Sequence, residues 1–190
     1  MANKTTQPIR DRKKIDALLA YLKGRNYRDY MIAKIELNTA RRISDIVNLK
    51  VSDLLNRNGK LRECITFREQ KTDKEAKVAV NTPLQNAITQ YISEKGLNYS
   101  DYLFQSRKGY NMPLSKTQVH RIFQNAGDTL NIPDFGTHSL RKTWGYFCYK
   151  ETRNIALIME VYNHSSERET LRYIGITQDD KDVVHMNIKF

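Results

Sequence analysis

The run Asn163-His164-Ser165-Ser166-Glu167-Arg168-Glu169-Thr170-Leu171-Arg172-Tyr173 carries the pattern that decides the architecture. His164 and Tyr173 stand nine positions apart. On one continuous helix, at ~100° per residue, they would point in opposite directions. Ser166 and Glu169, however, have the S-x-x-E spacing of a capping box, which predicts a turn and a new helix between them. That turn lets an imidazole and a phenol converge. Upstream, His138-Ser139-Leu140-Arg141 puts another imidazole and a guanidinium three residues apart, on one helical face. That face is centred about 105° from the apolar stripe Leu140, Trp144, Phe147 and Cys148, so the pair is expected at the edge of the buried side.

Two earlier segments also place polar groups where a core does not want them. In Ala40-Arg41-Arg42-Ile43-Ser44-Asp45, Arg42 and Asp45 are one helical turn apart, so a carboxylate can orient a guanidinium. In Gln70-Lys71-Thr72-Asp73-Lys74, Lys71 falls on a predicted sheet turn and can reach into a groove. Each segment alone has an ordinary explanation: an exposed ion pair of little worth, one surface lysine among many, a helix-start histidine, one tyrosine of eleven.

The rest of the chain reads as mostly helical. Ile15, Leu18, Leu19 and Leu22 fall at i, i+3, i+4, i+7, predicting a helix that Gly24 ends. Further helices are expected from about Asp29 to Asn38 and around Ile43–Leu49. Asn58-Gly59 is a strong hairpin signal linking a piece near Leu55 to Arg62–Gln70, where Ile65 and Phe67 alternate with polar residues. Val78 and Val80 repeat the alternation, which predicts a small three-stranded antiparallel sheet. Pro83 opens a helix to about Lys95. Ser115 and Gln118 form a capping box ahead of Val119, Ile122, Phe123, Ala126 and Leu130. Ile155–Tyr162 and Arg168–Ile174 are helical, and Thr177-Gln178-Asp179-Asp180 caps a last short helix. The sum is an α+β domain with one small sheet.

Length and composition narrow the function. At 190 residues the chain holds one domain, with 39% hydrophobic content, too much for wholesale disorder. The mean hydropathy is −0.67, and the longest aliphatic run, Ile155 to Met159, falls far short of the ~18 residues of a membrane span. The opening residues MANKTTQPIR lack the apolar stretch of a secretory signal. Two cysteines, Cys64 and Cys148, make no disulfide framework and favour a reducing compartment. The expected location is cytoplasmic, with no membrane contact. The net charge of +11 and a pI near 9.6 make a phosphate polymer the leading partner. Residues 1–28 hold eight Lys/Arg against two Asp, so the N-terminal end is enriched in positive charge.

Taken together, Arg42-Ile43-Ser44-Asp45, Lys71-Thr72, His138-Ser139-Leu140-Arg141 and His164-Ser165-Ser166…Tyr173 have an order and spacing that resemble the tyrosine recombinases, the phage integrase family. The resemblance covers the chain from about residue 10 to its end. The sequence departs from the usual pattern in two places. Ala40-Arg41 replaces the customary Gly-Leu ahead of Arg42, and Asn163 replaces the glycine before His164; Asn tolerates a left-handed φ better than most residues. Most members carry a separate helical core-binding domain ahead of the catalytic one; here a basic stretch is expected in its place, which resembles short members such as DNA invertases. The resemblance implies a flexible basic arm at 1–9, a recombinase catalytic domain at 10–176, and a tail at 177–190. Val183, Val184, Met186 and Ile188 of that tail would dock on a neighbouring protomer or on their own domain.

It further implies a bacterial or phage-encoded site-specific recombinase that integrates, excises or inverts double-stranded DNA through a 3′-phosphotyrosyl intermediate. Tyr173 would be the nucleophile. Arg42 and Arg141 would bind the non-bridging phosphate oxygens. Lys71 would be the general acid, His138 would handle the Tyr173 proton, His164 would hydrogen-bond the phosphate, and Asp45 would support the arginines. A covalent intermediate conserves the ester bond, so neither ATP, nor a metal, nor another cofactor is expected. The acidic run Asp179-Asp180-Lys181-Asp182 is read as a helix start rather than a metal site. His120 and His185 are expected at the surface. Self-association on DNA and an accessory DNA-binding protein fit this picture. The alternatives are a catalytically silent DNA-binding regulator on the same fold and a topoisomerase-like relaxase.

Overall fold

Local capping sets where each helix starts and stops. α1 (Arg12–Arg25) begins where the Asp11 side chain accepts from the Lys13 N–H. It runs through Gly24 and stops at Asn26, whose side chain at once caps α2 (Tyr27–Thr39) by accepting from the Arg28 N–H. Gly24 was expected to end α1, but the stronger stop is the Asn26 cap two residues later. α2 is the central helix of the domain. It packs against α1 and, further along the chain, α3 (Ile43–Val47), α5 (Thr82–Lys95) and α7 (Ser139–Thr152), and Met31, Ile32, Ala33 and Ile35 are fully buried. The computed structural model describes residues 6–68, 75–176, 183 and 185–188.

The sheet is smaller than the alternation predicts. Among the described residues it has two strands, β1 (Cys64–Arg68) and β2 (Glu75–Ala79), antiparallel with Ile65 opposite Val78 and Phe67 opposite Ala76. Ile65 and Phe67 face the core. The Asn58-Gly59 turn forms, with the Asn56 side chain accepting from the N–H groups of Asn58 and Lys60. The expected third strand reduces to one bridge, Leu55 to Leu61. The reason is length: α4 (Val51–Leu54) takes up the residues before Leu55, its start fixed by the Asp53 carboxylate accepting from the Lys50 N–H.

α5 starts on the Asn81 side chain with Pro83 in its first turn and stops at Gly96. α6 (Lys116–Thr129) starts on the Ser115/Gln118 capping box. α7 departs from the one-sided amphipathic helix expected. Leu140, Arg141, Lys142, Thr143, Gly145 and Tyr146 are all buried, whereas Trp144, Phe147 and Cys148 are only half-buried. α7 is threaded between α2 on one side and α8 (Ile155–Tyr162) on the other, so no face of its first half is left to solvent. α8 ends at Asn163 in the left-handed conformation (φ 55°, ψ 47°), and α9 (Glu167–Tyr173) starts with the Ser166 hydroxyl accepting from the Glu169 N–H. The predicted turn between His164 and Tyr173 is therefore present.

Residues 6–9 were expected in a flexible arm, and instead lie along the domain. The Gln7 N–H donates to the Asp134 carbonyl (3.1 Å), the Ile9 N–H to Thr143 Oγ1 (2.8 Å), and the Ile9 side chain is buried. An apolar residue with a slot to fill is held by the hydrophobic effect despite its basic neighbours. Residues 1–5 and the Thr177–Asp180 cap lie outside the described residues, as do Lys71 and Val184. Among the described residues no helix is long and apolar enough to cross a membrane.

Candidate active site

Three pieces of chain meet at one place: the α2–α3 turn, the start of α7, and the α8–α9 unit. Tyr173 is the last residue of α9. Its hydroxyl stands 3.4 Å from His138 Nδ1. Its ring packs edge-on against His164 (centroids 5.1 Å apart) and Tyr162 (5.3 Å). His138 sits just ahead of α7, at the solvent rim.

Arg141, one turn into α7, does not lie at the helix edge as expected; it is 3% exposed. Its guanidinium donates to the Ala40 carbonyl at the C-terminus of α2 and, at 3.5 Å, to the Tyr162 carbonyl at the C-terminus of α8. The guanidinium carbon lies 4.5 Å from the centroid of the Tyr162 ring. Two helix C-termini and an aromatic face thus hold one cation in the interior. Ala40 itself is left-handed (φ 54°), which turns its carbonyl toward Arg141 and leads the chain directly into Arg42.

Arg42 is half-buried, ahead of α3. Together with Ser44, Lys116, Thr117, His120 and His138 it lines an open cavity of about 370 Å³. His120 is exposed, as expected, yet stands at the rim of this cavity. Asp45 is buried; its N–H donates to the Arg42 carbonyl (2.9 Å) and its carboxylate accepts from the Ser44 hydroxyl (3.2 Å). It lines a second cavity, of about 540 Å³, with Asn48, Lys50, Asp53, Thr66, Arg68 and Glu75. The last two are the described residues on either side of the sequence stretch that contains Lys71.

Burial lowers the His138 pKa from its ordinary 6.5, and the charges of Arg141, Lys142 and Arg42 lower it further. Both effects favour the neutral imidazole, the form able to accept a proton. Burial also lowers the His164 pKa, an effect Glu169 opposes. His164 Nδ1 meets Thr170 Oγ1 at 3.1 Å, and that hydroxyl donates to the Ser166 carbonyl, so Nδ1–H is the donor. Burial raises the Tyr173 phenol pKa and Arg141 partly offsets it.

The structure thus brings His138, His164 and Tyr173 together beside the buried Arg141, with Arg42 and His138 on one open cavity and Asp45 one turn beyond Arg42. Several residues of this neighbourhood carried no sequence signal of their own. Tyr162 is the ring on which Arg141, His164 and Tyr173 rest, and only its place directly before Asn163-His164 pointed to it. Arg41 is buried and ties the α2 end to the Val161 carbonyl (3.2 Å). Lys142 and Glu36 are buried ionisable side chains close to Arg141.

A cationic, histidine-bearing cleft with a tyrosine at its edge, on a helical domain with a small sheet, defines a tyrosine-recombinase catalytic fold. Residues 10–179 match the model of the phage integrase family, and the chain belongs to that family. It is 38% identical over 173 residues to the probable integrase/recombinase YoeC of Bacillus subtilis (strain 168), covering 91% of both chains. In structure it resembles the XerA recombinase (TM-score 0.75, 20% identity, covering 97% of this chain and 67% of that one). It also resembles XerH, solved in a post-cleavage complex with its palindromic difH substrate (TM-score 0.74, 17% identity, covering 97% of this chain and 54% of that one). The chain spans nearly all of YoeC and little more than half of XerH.

Proposed function

We propose that the protein is a site-specific DNA recombinase that cuts and rejoins double-stranded DNA through a 3′-phosphotyrosyl link. The observation that carries this reading is the Tyr173 hydroxyl, 3.4 Å from His138 Nδ1 and beside a buried arginine. The Tyr173 oxygen attacks the scissile phosphorus, its proton passes to His138 Nδ1, and the P–O5′ bond breaks. Negative charge builds on the non-bridging oxygens, which the planar guanidiniums of Arg42 and Arg141 are suited to bind. Loss of one such preorganised donor costs on the order of 3 kcal/mol of transition-state stabilisation. His164, its Nδ1–H already given to Thr170, donates to the phosphate from Nε2 on protonation. Lys71 protonates the departing 5′-oxygen, and Asp45 supports the Arg42 turn. The product is a phosphotyrosyl ester and a free 5′-hydroxyl, and reversal onto another strand rejoins the DNA.

The +11 charge supports DNA as the partner, and XerH was solved on its own DNA substrate. Strand exchange needs several protomers on DNA, and the exposed Val183, Met186 and Ile188 of the tail suit a contact with a neighbouring copy. The test is incubation in EDTA with a pool of nicked duplexes of randomised sequence. The wild type should form a covalent adduct and Tyr173→Phe none. Arg42→Ala and Arg141→Ala should retain DNA binding while losing the adduct. Binding without adduct by the wild type would instead mark a silent DNA-binding regulator.

A further inference from the structure

Lys142 follows Arg141 on α7 and is 5% exposed. Among the described residues no carboxylate pairs with it. Its ammonium donates to the main-chain carbonyl of Thr6 at 2.6 Å and stands 5.0 Å from the centroid of the Tyr173 ring. A buried cation with one neutral acceptor is costly, and an aromatic face recovers part of that cost.

Thr6 is where it is because the chain from 6 to 10 is fastened along its length. Gln7 and Ile9 bond Asp134 and Thr143. Pro8 fills the space a side chain on Gly175 would need, a Cβ there meeting the Pro8 ring at 2.9 Å. The Arg10 guanidinium donates to the Gly175 carbonyl. Gly175 has φ +75° and lies two residues after Tyr173. The segment therefore touches the nucleophile-bearing stretch twice: at the backbone just beyond Tyr173, through Pro8 and Arg10, and at the ring, through Lys142.

We propose that Lys142 is a positioning residue for Tyr173, and that residues 6–10 form a strap that seats its ammonium on the phenol ring. The proposal rests on the reading of Tyr173 as nucleophile. The Thr6 carbonyl fixes the ammonium, the ammonium holds the ring plane, and the Pro8–Arg10 contacts hold the chain that follows. As the phenol oxygen gives up its proton, the fixed cation favours the phenolate. The phenol also faces Arg141 of α7, Arg42 of the α2–α3 turn, His138 and, across the core, Glu36 of α2. Lys142 adds to these a charge on the ring face rather than on the oxygen.

The experiment uses the full chain as Lys142→Met, Lys142→Arg and the double variant Pro8→Gly/Arg10→Ala, with the melting temperature as a check on folding. The first readout is the Tyr173 phenol titration, followed by NMR on ¹³Cζ-labelled tyrosine, without DNA. The second is the rate of adduct formation in EDTA on the pool of nicked duplexes. Lys142→Met should raise the phenol pKa and slow the adduct about tenfold with DNA affinity unchanged. Lys142→Arg should recover most of the rate, and the strap variant should slow it while leaving Lys142 in place. An unchanged phenol titration in Lys142→Met, or an adduct rate equal to wild type, overturns the proposal. A shifted phenol with no adduct even from the wild type leaves the Lys142–Tyr173 coupling standing and overturns the recombinase reading instead.

Discussion

The Tyr162 hydroxyl donates to the backbone carbonyl of Arg141 at 2.5 Å, while the Arg141 guanidinium lies over the same tyrosine's ring. One side chain thus fixes both the main chain and the charged end of the buried arginine. Gly145 makes room for it, since a Cβ at that position would run into the Tyr162 hydroxyl and, at 2.7 Å, into Ile174. Tyr162→Phe keeps the ring and removes the hydrogen bond, so it should cost about 1 kcal/mol of stability and leave most cleavage intact. Tyr162→Leu removes the platform under Arg141, His164 and Tyr173 together. It should cost about 3 kcal/mol and abolish adduct formation even where the protein remains folded. Urea unfolding beside the adduct assay checks both; equal adduct rates in the two variants would show that the ring does not organise the site.

Much of this site was legible in the sequence because its parts are local. His138 and Arg141 share one helical turn, and the Ser166 cap that turns the chain between His164 and Tyr173 is written in adjacent residues. What was not legible depends on contacts between distant segments. Arg141 looked like an edge residue because one helix's periodicity cannot show that α2 and α8 enclose it from both sides. The third strand failed because α4 competes for the same residues as the hairpin. Residues 6–9 looked like a loose arm because nothing in a basic, Pro-containing stretch announces a slot for Ile9 elsewhere. Ala40 and Asn163, the two departures from glycine, both adopt positive φ, so the local geometry is kept by residues that bear it less easily.

The two active-site imidazoles predict how the protein responds to acid. Burial leads in holding both His138 and His164 below their ordinary 6.5. The unfolded chain therefore takes up protons first as pH falls, so stability is fully present above about 6.5 and declines below it. Proton acceptance by His138 needs the neutral imidazole whereas donation by His164 needs the protonated one, so adduct formation should pass through an optimum and then fall with acid, its acid-side midpoint below 6.5. His138→Gln should flatten the acid side of the stability curve and slow the adduct at every pH. Thermal melts from pH 8 to 5 with adduct rates across the same range test this; a midpoint above 6.5 would contradict the cationic surroundings of His138.

Asn163 separates conformational from chemical constraints. It is exposed and left-handed, and its side chain has no part in the proposed chemistry. Asn163→Gly should be neutral or slightly stabilising, because glycine reaches this φ without strain. Asn163→Val should cost about 1–2 kcal/mol, the strain of a β-branched residue held at positive φ. The same variant should displace His164 from Tyr173 and so reduce adduct formation, which Asn163→Gly should preserve. Denaturation midpoints of the two variants decide the matter, with equal stabilities excluding a role for the backbone conformation.

Glu36 lies on α2 one turn before Ala40, fully buried, and among the described residues its carboxylate oxygens have no side-chain hydrogen-bond partner. Burial raises its pKa well above the ordinary 4.5, and Arg141 opposes that only in part. The folded protein therefore keeps a proton on Glu36 that the unfolded chain has already released. Stability attached to this group is fully present below about 4.5 and is lost as pH rises toward the folded value. Glu36→Gln keeps the shape and removes the titration. Its stability relative to wild type should accordingly be greater at pH 8 than at pH 5, the difference accumulating steadily with each pH unit until the folded pKa is passed. Paired melting curves at the two pH values test the sign directly. A wild-type advantage that grows with pH would mean that Glu36 is ionised and held by Arg141 as a buried ion pair, and that the charge offered to a bound phosphate is correspondingly smaller.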